Sequence, residues 1–233
     1  MTPNCRAYDP AFASELAVIL DHGMREMMER NADEFYYVTV MNENYAQPAL
    51  PEGAEADVIK GLYRLPPAAP ASPAMRAHVR LLGSGAILRE VIAAAALLAR
   101  DWNVGSDVYS ATSFSELARD ARAVERWNRL HPAAPPRCSH VAALLDGDAP
   151  IVAATDYVRA YPQLVASYLR SPFTALGTDG FGRSDTRAAL RSFFEVTREH
   201  VVVAALAALS REQAAEAIAR YGIDTECEPS WLR

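Results

Sequence analysis

The chain has 233 residues, of which 51% are apolar and 22% are charged, a composition typical of globular proteins. Its formal charge of −6 and the lack of a basic stripe argue against nucleic acid as its main partner. No apolar run reaches the roughly 18 residues that a membrane span requires, and the first residues lack the apolar core of a signal peptide. We therefore expect a cytoplasmic protein with no membrane partner.

A proline-rich segment at residues 66–75 divides the chain into two parts. Proline lacks a backbone N–H and disfavours helix at the residue before it, so this segment is predicted to be an extended linker. The expected domain organisation is therefore a short unit at residues 1–65, the linker, and a longer unit at residues 76–233.

The first unit is predicted to contain a helix, a strand and a second helix. Asp9 followed by Pro10 is a typical helix start, and apolar residues at helical spacing extend this helix to about residue 31. Three methionines on it are expected to pack in a core: Met24, Met27 and Met28. Residues 35–41 are almost all aromatic or β-branched, which predicts a strand buried on both faces. A second helix is predicted at residues 53–63.

The second unit alternates short apolar runs with helical patterns, which predicts an α/β fold: a three-layer, mostly parallel sheet with helices on both faces. The predicted strands are residues 78–82, 107–111, 150–154 and 173–176. The predicted helices are residues 87–100, 113–130, 156–169, 185–194, 197–209 and 210–221. Capping boxes are expected where Ser113 precedes Glu116 and where Ser210 precedes Gln213. Ligands of such sheets bind beyond the carboxyl ends of the strands, so the loops there are the candidate sites.

Two of these loops have distinctive sequences. Gly83-Ser84-Gly85 follows a strand and opens a helix, as a nucleotide-binding turn does, but Leu88 replaces the third glycine of that motif. A tight turn that needs glycine for positive φ is the favoured interpretation. In the loop at residues 177–185, Asp179 is expected to pair with Arg183, and Asp185 or Ser184 to cap the next helix. This loop is either self-contained or a contact surface for a neighbouring domain or a bound anion.

Several blocks of the chain, in order, resemble the homodimeric E1 component of bacterial pyruvate dehydrogenase complexes. The blocks are Asn42-Glu43-Asn44-Tyr45, residues 48–55, Leu82-Gly83-Ser84-Gly85, residues 105–110, residues 112–120, residues 125–132 and residues 176–185. The resemblance covers nearly the whole chain apart from the proline-rich linker and the last few residues.

The resemblance implies a transketolase-like enzyme that uses thiamine diphosphate and Mg²⁺ to decarboxylate pyruvate and acetylate lipoyl groups of the E2 dihydrolipoyl acetyltransferase. Residues 1–65 would be the end of the pyrimidine-binding middle domain, and residues 76–233 a transketolase-like C-terminal domain. The chain alone is expected to bind neither cofactor nor metal and to be inactive. Its expected role is to form the homodimer and complete the active-site wall with the remaining E1 domains.

The resemblance also marks possible site residues. Tyr8 matches an active-site tyrosine, although it could simply pack against the following helix. Ala46 stands where well-studied relatives have a catalytic-site histidine, in the loop that contains Asn42, Glu43, Asn44 and Tyr45. Two alternatives stay open: a separately expressed assembly or regulatory module without catalytic activity, and a domain that binds a small molecule at the carboxyl edge of its sheet.

Overall fold

The computed structural model describes residues 2–67, 75 and 77–233, which form two sheets. The first sheet has two parallel strands, β1 (Cys5–Tyr8) and β2 (Phe35–Val38), with Cys5 paired to Phe35. The second has five strands in the order β3-β5-β4-β6-β7. Its strands are β3 (Tyr63–Arg64), β4 (Ala77–Gly83), β5 (Val104–Ser110), β6 (Ile151–Ala154) and β7 (Phe173–Leu176). Only β3 is antiparallel to its neighbour among the pairings described, so the predicted mostly parallel sheet is confirmed.

The described residues contain nine α-helices. They are α1 (Ala13–Met24), α2 (Glu55–Lys60), α3 (Leu88–Trp102), α4 (Phe114–Leu130), α5 (His140–Leu144), α6 (Ala160–Gln163), α7 (Arg187–Phe193), α8 (Arg198–Leu209) and α9 (Arg211–Tyr221). A π-helical turn, Arg25–Glu29, extends α1. Throughout the described ranges, no helix is long and apolar enough to cross a membrane.

Helices cover both faces of the five-stranded sheet. On one face, α3, α8 and α9 bury apolar side chains against alternate residues of the central strands, such as Val79 and Leu81 of β4. On the other face, α4, α5 and the segment around α6 pack on Leu82, Ile151 and Ala153. Because side chains of a strand point alternately to its two faces, both of these layers require apolar residues in nearly every position of the central strands.

Two surfaces of the first unit that are predicted to be buried are exposed in part. The methionine stripe is not a core here: Met28 is 78% exposed and Met24 is 57% exposed. The strand at residues 35–41 is also not buried on both faces, because only alternate residues pack on α1 and α2. Phe35 and Tyr37 point outward from a sheet of only two strands.

Several predicted boundaries also change. Helix α1 begins at Ala13 rather than at Asp9, because the backbone of Asp9 is held by Gly85 and Thr112, which follow strands of the second sheet. Residues 156–169 form only α6 and a short 3₁₀ turn, Ala166–Tyr168. The strand β3 pairs with β5 although it precedes the linker, so the first unit already contributes a strand to the second sheet. Residues 68–74 of the predicted linker lie outside the described residues, as does residue 76.

The predicted helix caps are present in part. Ser113 accepts from the backbone N–H of Glu116 at 3.1 Å, and Ser210 accepts from that of Gln213 at 3.4 Å. The reciprocal contact of the Glu116 side chain is replaced, because its carboxylate pairs with Arg6 at 2.8 Å and Arg119 at 3.2 Å. The ion pairs therefore tie the start of α4 to β1 of the first unit.

Candidate functional site

The carboxyl ends of β4 and β6 form the crevice in which open α/β sheets usually bind ligands. These strands are neighbours, yet β4 leads into α3 on one face while β6 leads to the segment around α6 on the other. Loops that leave in opposite directions open a crevice between them. Across it, the Ser84 and Thr155 hydroxyl oxygens lie 2.8 Å apart.

Asp9 of the first unit fills this crevice. Its backbone N–H donates to the Thr112 carbonyl at 2.8 Å, and its own carbonyl accepts from the Gly85 N–H at 3.0 Å. Its carboxylate oxygen Oδ1 accepts from the Thr39 hydroxyl at 2.6 Å, while Oδ2 is buried without a hydrogen-bond partner among the described residues. The remaining cavity measures about 60 Å³, which holds a few water molecules. The crevice therefore joins the two units and leaves little room for a ligand.

The turn at residues 83–85 follows from this contact. Gly85 has φ +48°, and a Cβ there would lie 2.5 Å from Asp9 Oδ1. A Cβ on Gly83 would lie 2.6 Å from the Cα of Leu88. The favoured interpretation, a tight turn that requires glycine, is confirmed. Because Gly85 and Gly83 have no side chains, there is also room for Asp9 beside Gly85 and for the start of α3 beside Gly83.

The environment of Asp9 makes the stability of the chain depend on pH. Burial raises the pKa of Asp9 above its ordinary value of 3.8, and the hydrogen bond from Thr39 offsets only part of this. The Asp9 carboxyl therefore stays protonated to higher pH in the folded state than in the unfolded chain. The stability of the chain falls as the pH rises from the ordinary pKa of this group through its raised pKa in the folded state.

We expect Asp9→Asn to remove this loss, because an amide does not ionise and its oxygen still accepts from Thr39. Urea unfolding of both proteins at about pH 3.5 and about pH 7.5 measures the difference, since the other titrating groups cancel in the comparison. The free energy of unfolding of the asparagine variant, relative to that of the parent, should be greater at about pH 7.5 than at about pH 3.5. A difference that is the same at both pH values would contradict the raised pKa.

Tyr8 is placed in the interior of the first unit. Its hydroxyl donates to the Ile59 carbonyl at 2.9 Å, and its ring stacks on Tyr36 with centroids 6.1 Å apart. Burial raises the pKa of Tyr8. Within this chain the residue joins β1 to the end of α2.

The loop at residues 42–47 is fixed by charge. Glu43 accepts from Arg89 and from Arg191, each at 2.6 Å, and Arg187 lies 3.8 Å from the same carboxylate. Burial opposes ionisation of Glu43, but the hydrogen bond from Arg191 and the nearby guanidinium groups outweigh it, so its pKa is lowered. Asn42 accepts from Arg187. Helices α3 and α7 thereby hold the loop that leads to Ala46.

The second half of this loop contacts the start of α1. The Tyr45 hydroxyl donates to the Ala11 carbonyl, and its ring lies under Arg89 at 4.6 Å. Gln47 accepts from the Ala13 N–H at 2.9 Å. Asn44 and Ala46 lie between these anchors, and both are exposed. A side chain at position 46 is thus presented from a well-fixed backbone.

The predicted pairing in the loop at residues 177–185 is wrong. Asp179 binds Arg159, both through the guanidinium group and through the backbone N–H at 3.0 Å. Arg183 instead lies 4.3 Å from the Phe193 ring centroid. The predicted cap is also displaced, since Thr186 caps α7 and Asp185 accepts from the Thr186 N–H at 2.7 Å. Both predictions considered only residues within the loop, whereas partners outside it compete for these groups.

Sequence reasoning missed Glu15, a fully buried carboxylate in α1. One oxygen accepts from the N–H groups of Ala11 at 2.6 Å and Phe12 at 3.0 Å. The other accepts from the hydroxyls of Tyr63 at 2.7 Å and Ser110 at 2.6 Å. A signal was available, because an acidic residue four positions before buried Ile19 lies on the apolar face of the helix. Glu15 connects α1 to two strands of the large sheet.

Comparison with known families relates this geometry to a larger enzyme. The family described as the transketolase-like TK C-terminal domain matches residues 61–197, which is more than half of the chain. The chain belongs to the transketolase-like C-terminal domain family. Residues 1–48 match a second family, the pyruvate dehydrogenase E1 component middle domain. A segment that matches the middle-domain family thus precedes the part that matches the transketolase-like family.

Curated relatives agree with this assignment. The chain is 53% identical over 232 residues to the pyruvate dehydrogenase E1 component of Pseudomonas aeruginosa, covering 96% of the chain and 26% of that protein. It is 48% identical over 232 residues to the E1 component of Escherichia coli K12, with the same coverage. The transketolase-like chain thus spans about a quarter of the length of these relatives.

Solved structures support the fold. Transketolase from Leishmania mexicana superposes with a TM-score of 0.57 at 18% identity, covering 98% of this chain and 27% of that one. A split gene transketolase described as an inactive beta4 tetramer gives 0.53 at 15% identity, covering 89% of this chain and 59% of that one. The three-layer α/β transketolase C-terminal-like fold is therefore confirmed.

The family implies thiamine diphosphate, which the resemblance pairs with Mg²⁺. In the described ranges, no group of three or more His, Cys, Asp or Glu side chains could hold the Mg²⁺ of such a cofactor. The buried unpartnered oxygen of Asp9 faces a cavity far too small for the cofactor. These residues do not by themselves fit the group.

Proposed function

We propose that this chain acts as the C-terminal quarter of a pyruvate dehydrogenase E1 component. The observation that carries the proposal is the 53% identity to the Pseudomonas aeruginosa E1 component across 96% of the chain. This match extends through both units in the same order. In the complete enzyme, pyruvate would be decarboxylated and its acetyl unit passed to lipoyl groups of E2. Thiamine diphosphate and Mg²⁺ would be bound largely by parts of E1 outside this chain.

The role proposed for the chain's own residues is positional. Asp9 and Glu15 lock the end of a middle domain, residues 1–65, onto the C-terminal domain. Glu43 and its arginines hold the loop on which Ala46 is presented at the position of the family's histidine. The chain would thereby supply part of the active-site wall.

The apolar side chains left exposed on the first unit support association with more protein. Leu20, Met24 and Met28 on the α1 side, and Phe35, Tyr37 and Val40 around β2, are each at least 47% exposed. Among the described residues no further strand pairs with the outer edge of β2, whereas the Cys5 and Ala7 carbonyls of β1 accept from Arg119 and Ser113. We propose that remaining E1 domains and a second subunit cover these surfaces in a cytoplasmic homodimer that contacts E2.

A chimera tests the proposal. This chain replaces the corresponding quarter of the Pseudomonas aeruginosa E1 component, and acetylation of E2 lipoyl domains is measured with pyruvate, thiamine diphosphate and Mg²⁺. We expect a rate of at least about one tenth of the parent's, a barrier difference of about 1.4 kcal/mol or less. The parent protein is the positive control.

A second chimera with Ala46→His separates two causes of a low rate. Recovery of activity by the histidine would mean that the chain is the proposed wall but is impaired at position 46. A chimera that is folded and dimeric, yet inactive with either residue, would contradict the proposal and favour the assembly or regulatory module. Circular dichroism and sedimentation establish folding and dimerisation.

A further inference from the structure

A second cavity at the carboxyl edge, distinct from the crevice that Asp9 fills, lies near the ends of β6 and β7. It measures about 320 Å³ and is lined by Glu43, Asp156, Gly182, Arg183, Arg187 and Arg191, among others. We propose that this arginine pocket binds a small ligand through an oxyanion group, a phosphate or a carboxylate. The inference does not depend on the proposed E1 activity.

Basic groups outnumber acidic groups in the lining of the arginine pocket, although the chain is acidic overall. Three guanidinium groups, those of Arg183, Arg187 and Arg191, line the pocket together with the carboxyl groups of Glu43 and Asp156. This local excess of cations contrasts with the chain's formal charge of −6. An anion entering the pocket would offset repulsion among the guanidinium groups.

One wall of the pocket is rigid. Arg191 is only 14% exposed and binds Glu43 at 2.6 Å and Glu90 at 3.3 Å. Arg198 binds the same Glu90 carboxylate at 2.9 Å. Because these ion pairs hold Arg191 and Glu43, which both line the pocket, they set its shape before any ligand arrives.

The opposite wall of the pocket contains guanidinium N–H groups that are not all used in hydrogen bonds among the described residues. Arg183 forms no ion pair or hydrogen bond in the described part of the chain, and its guanidinium is held at 4.3 Å from the Phe193 ring centroid. Arg187 is half exposed; it donates to Asn42, and its nearest carboxylate, Glu43, lies at 3.8 Å, beyond hydrogen-bond distance. A planar guanidinium presents two parallel N–H groups that match the oxygens of a phosphate or a carboxylate.

The backbone at Gly182 also leaves space for a ligand. A Cβ placed on Gly182 would meet no atom within 4 Å, so the chain leaves space there. At about 320 Å³, the pocket accommodates a small phosphate or carboxylate with some of its water, in contrast to the cavity of about 60 Å³ beside Asp9.

Calorimetric titration of this chain with inorganic phosphate, and separately with malonate, tests the proposal at constant ionic strength and neutral pH. We expect saturable binding to one site with a dissociation constant on the order of 1 mM. Arg183→Gln and Arg187→Gln should each weaken it at least about tenfold. The control is Arg211→Gln on α9, an exposed arginine without an ion pair in the described ranges, which should leave binding unchanged.

The two probes distinguish the sources of the oxyanion. Saturation by phosphate alone assigns a phosphorylated ligand, saturation by malonate alone assigns a carboxylate, and saturation by both supports the shared chemistry. Absence of saturable binding to either probe overturns the proposal. Equal weakening by Arg211→Gln, or none by the two pocket variants, overturns it as well, because binding would then be a general surface effect.

Discussion

Replacing Glu15 by alanine should lower the free energy of unfolding by about 4–6 kcal/mol, the largest stability effect that we expect of one substitution here. The change leaves two buried N–H groups, of Ala11 and Phe12, and two buried hydroxyls, of Tyr63 and Ser110, without their acceptor. Each unsatisfied buried donor costs about 1–3 kcal/mol, and the hydroxyls recover part of this by rotating. Urea or thermal unfolding measures the loss.

Two variants isolate the cause. Glu15→Gln should cost only about 1 kcal/mol, since its amide oxygen still accepts from the two N–H groups and its amide nitrogen donates to hydroxyl oxygens that reorient. Glu216→Ala, at an exposed position of α9, should be within about 0.5 kcal/mol of the parent. If the glutamine variant were as unstable as the alanine variant, the charge rather than the acceptors would hold the two units together.

The layers of the second sheet could be predicted from sequence because local patterns determine them. The strand at residues 173–176 is predicted and observed with the same limits. Helix α4 is displaced by one residue from its predicted start, since Ser113 caps it from outside. Short buried strands in a parallel sheet have few alternatives, because apolar residues in almost every position fit no exposed element.

Contacts between the units could not be predicted, because they pair residues far apart in the chain. Cys5–Tyr8 has no strand pattern of its own and becomes a strand only by pairing with β2, some thirty residues later. Asp9 has the local chemistry of a helix cap, but tertiary hydrogen bonds to Thr39 and Gly85 take precedence. Asp179 likewise binds Arg159 instead of the arginine four residues away. In each case a partner outside the local window is the stronger one.

The candidate site likewise has features that the sequence predicts and features that depend on contacts between distant residues. The carboxyl edge and the glycine turn could be predicted, because strand order and positive φ have sequence signatures. That Asp9 fills the crevice required the fold, since it brings together residues separated by more than seventy positions. The unpaired Arg183 became a candidate only when its expected partner proved to be held elsewhere in the described part of the chain.

Gly85→Ala should destabilise the chain by about 3 kcal/mol, for two reasons that can be separated. A residue with a Cβ at φ +48° costs about 1–2 kcal/mol in backbone strain. The Cβ also approaches the Asp9 carboxylate oxygens to 2.5 and 2.6 Å, so Asp9 must move and lose its hydrogen bond from Thr39, a further cost of about 1 kcal/mol or more. Gly182→Ala is the matched control, with no atom within 4 Å of its Cβ and no positive φ, and should be nearly neutral.

A double-mutant cycle with Asp9→Ala separates the two costs. Without the carboxylate, Gly85→Ala should retain the backbone strain but lose the clash, so it should cost about 1 kcal/mol less than in the parent. Unfolding of the four proteins at one pH gives the coupling energy directly. A coupling near zero would mean that the Asp9 carboxylate does not occupy the crevice in solution, and the contact between the two units would then rest on other groups, among them Glu15 and the ion pairs of Glu43 and Glu116.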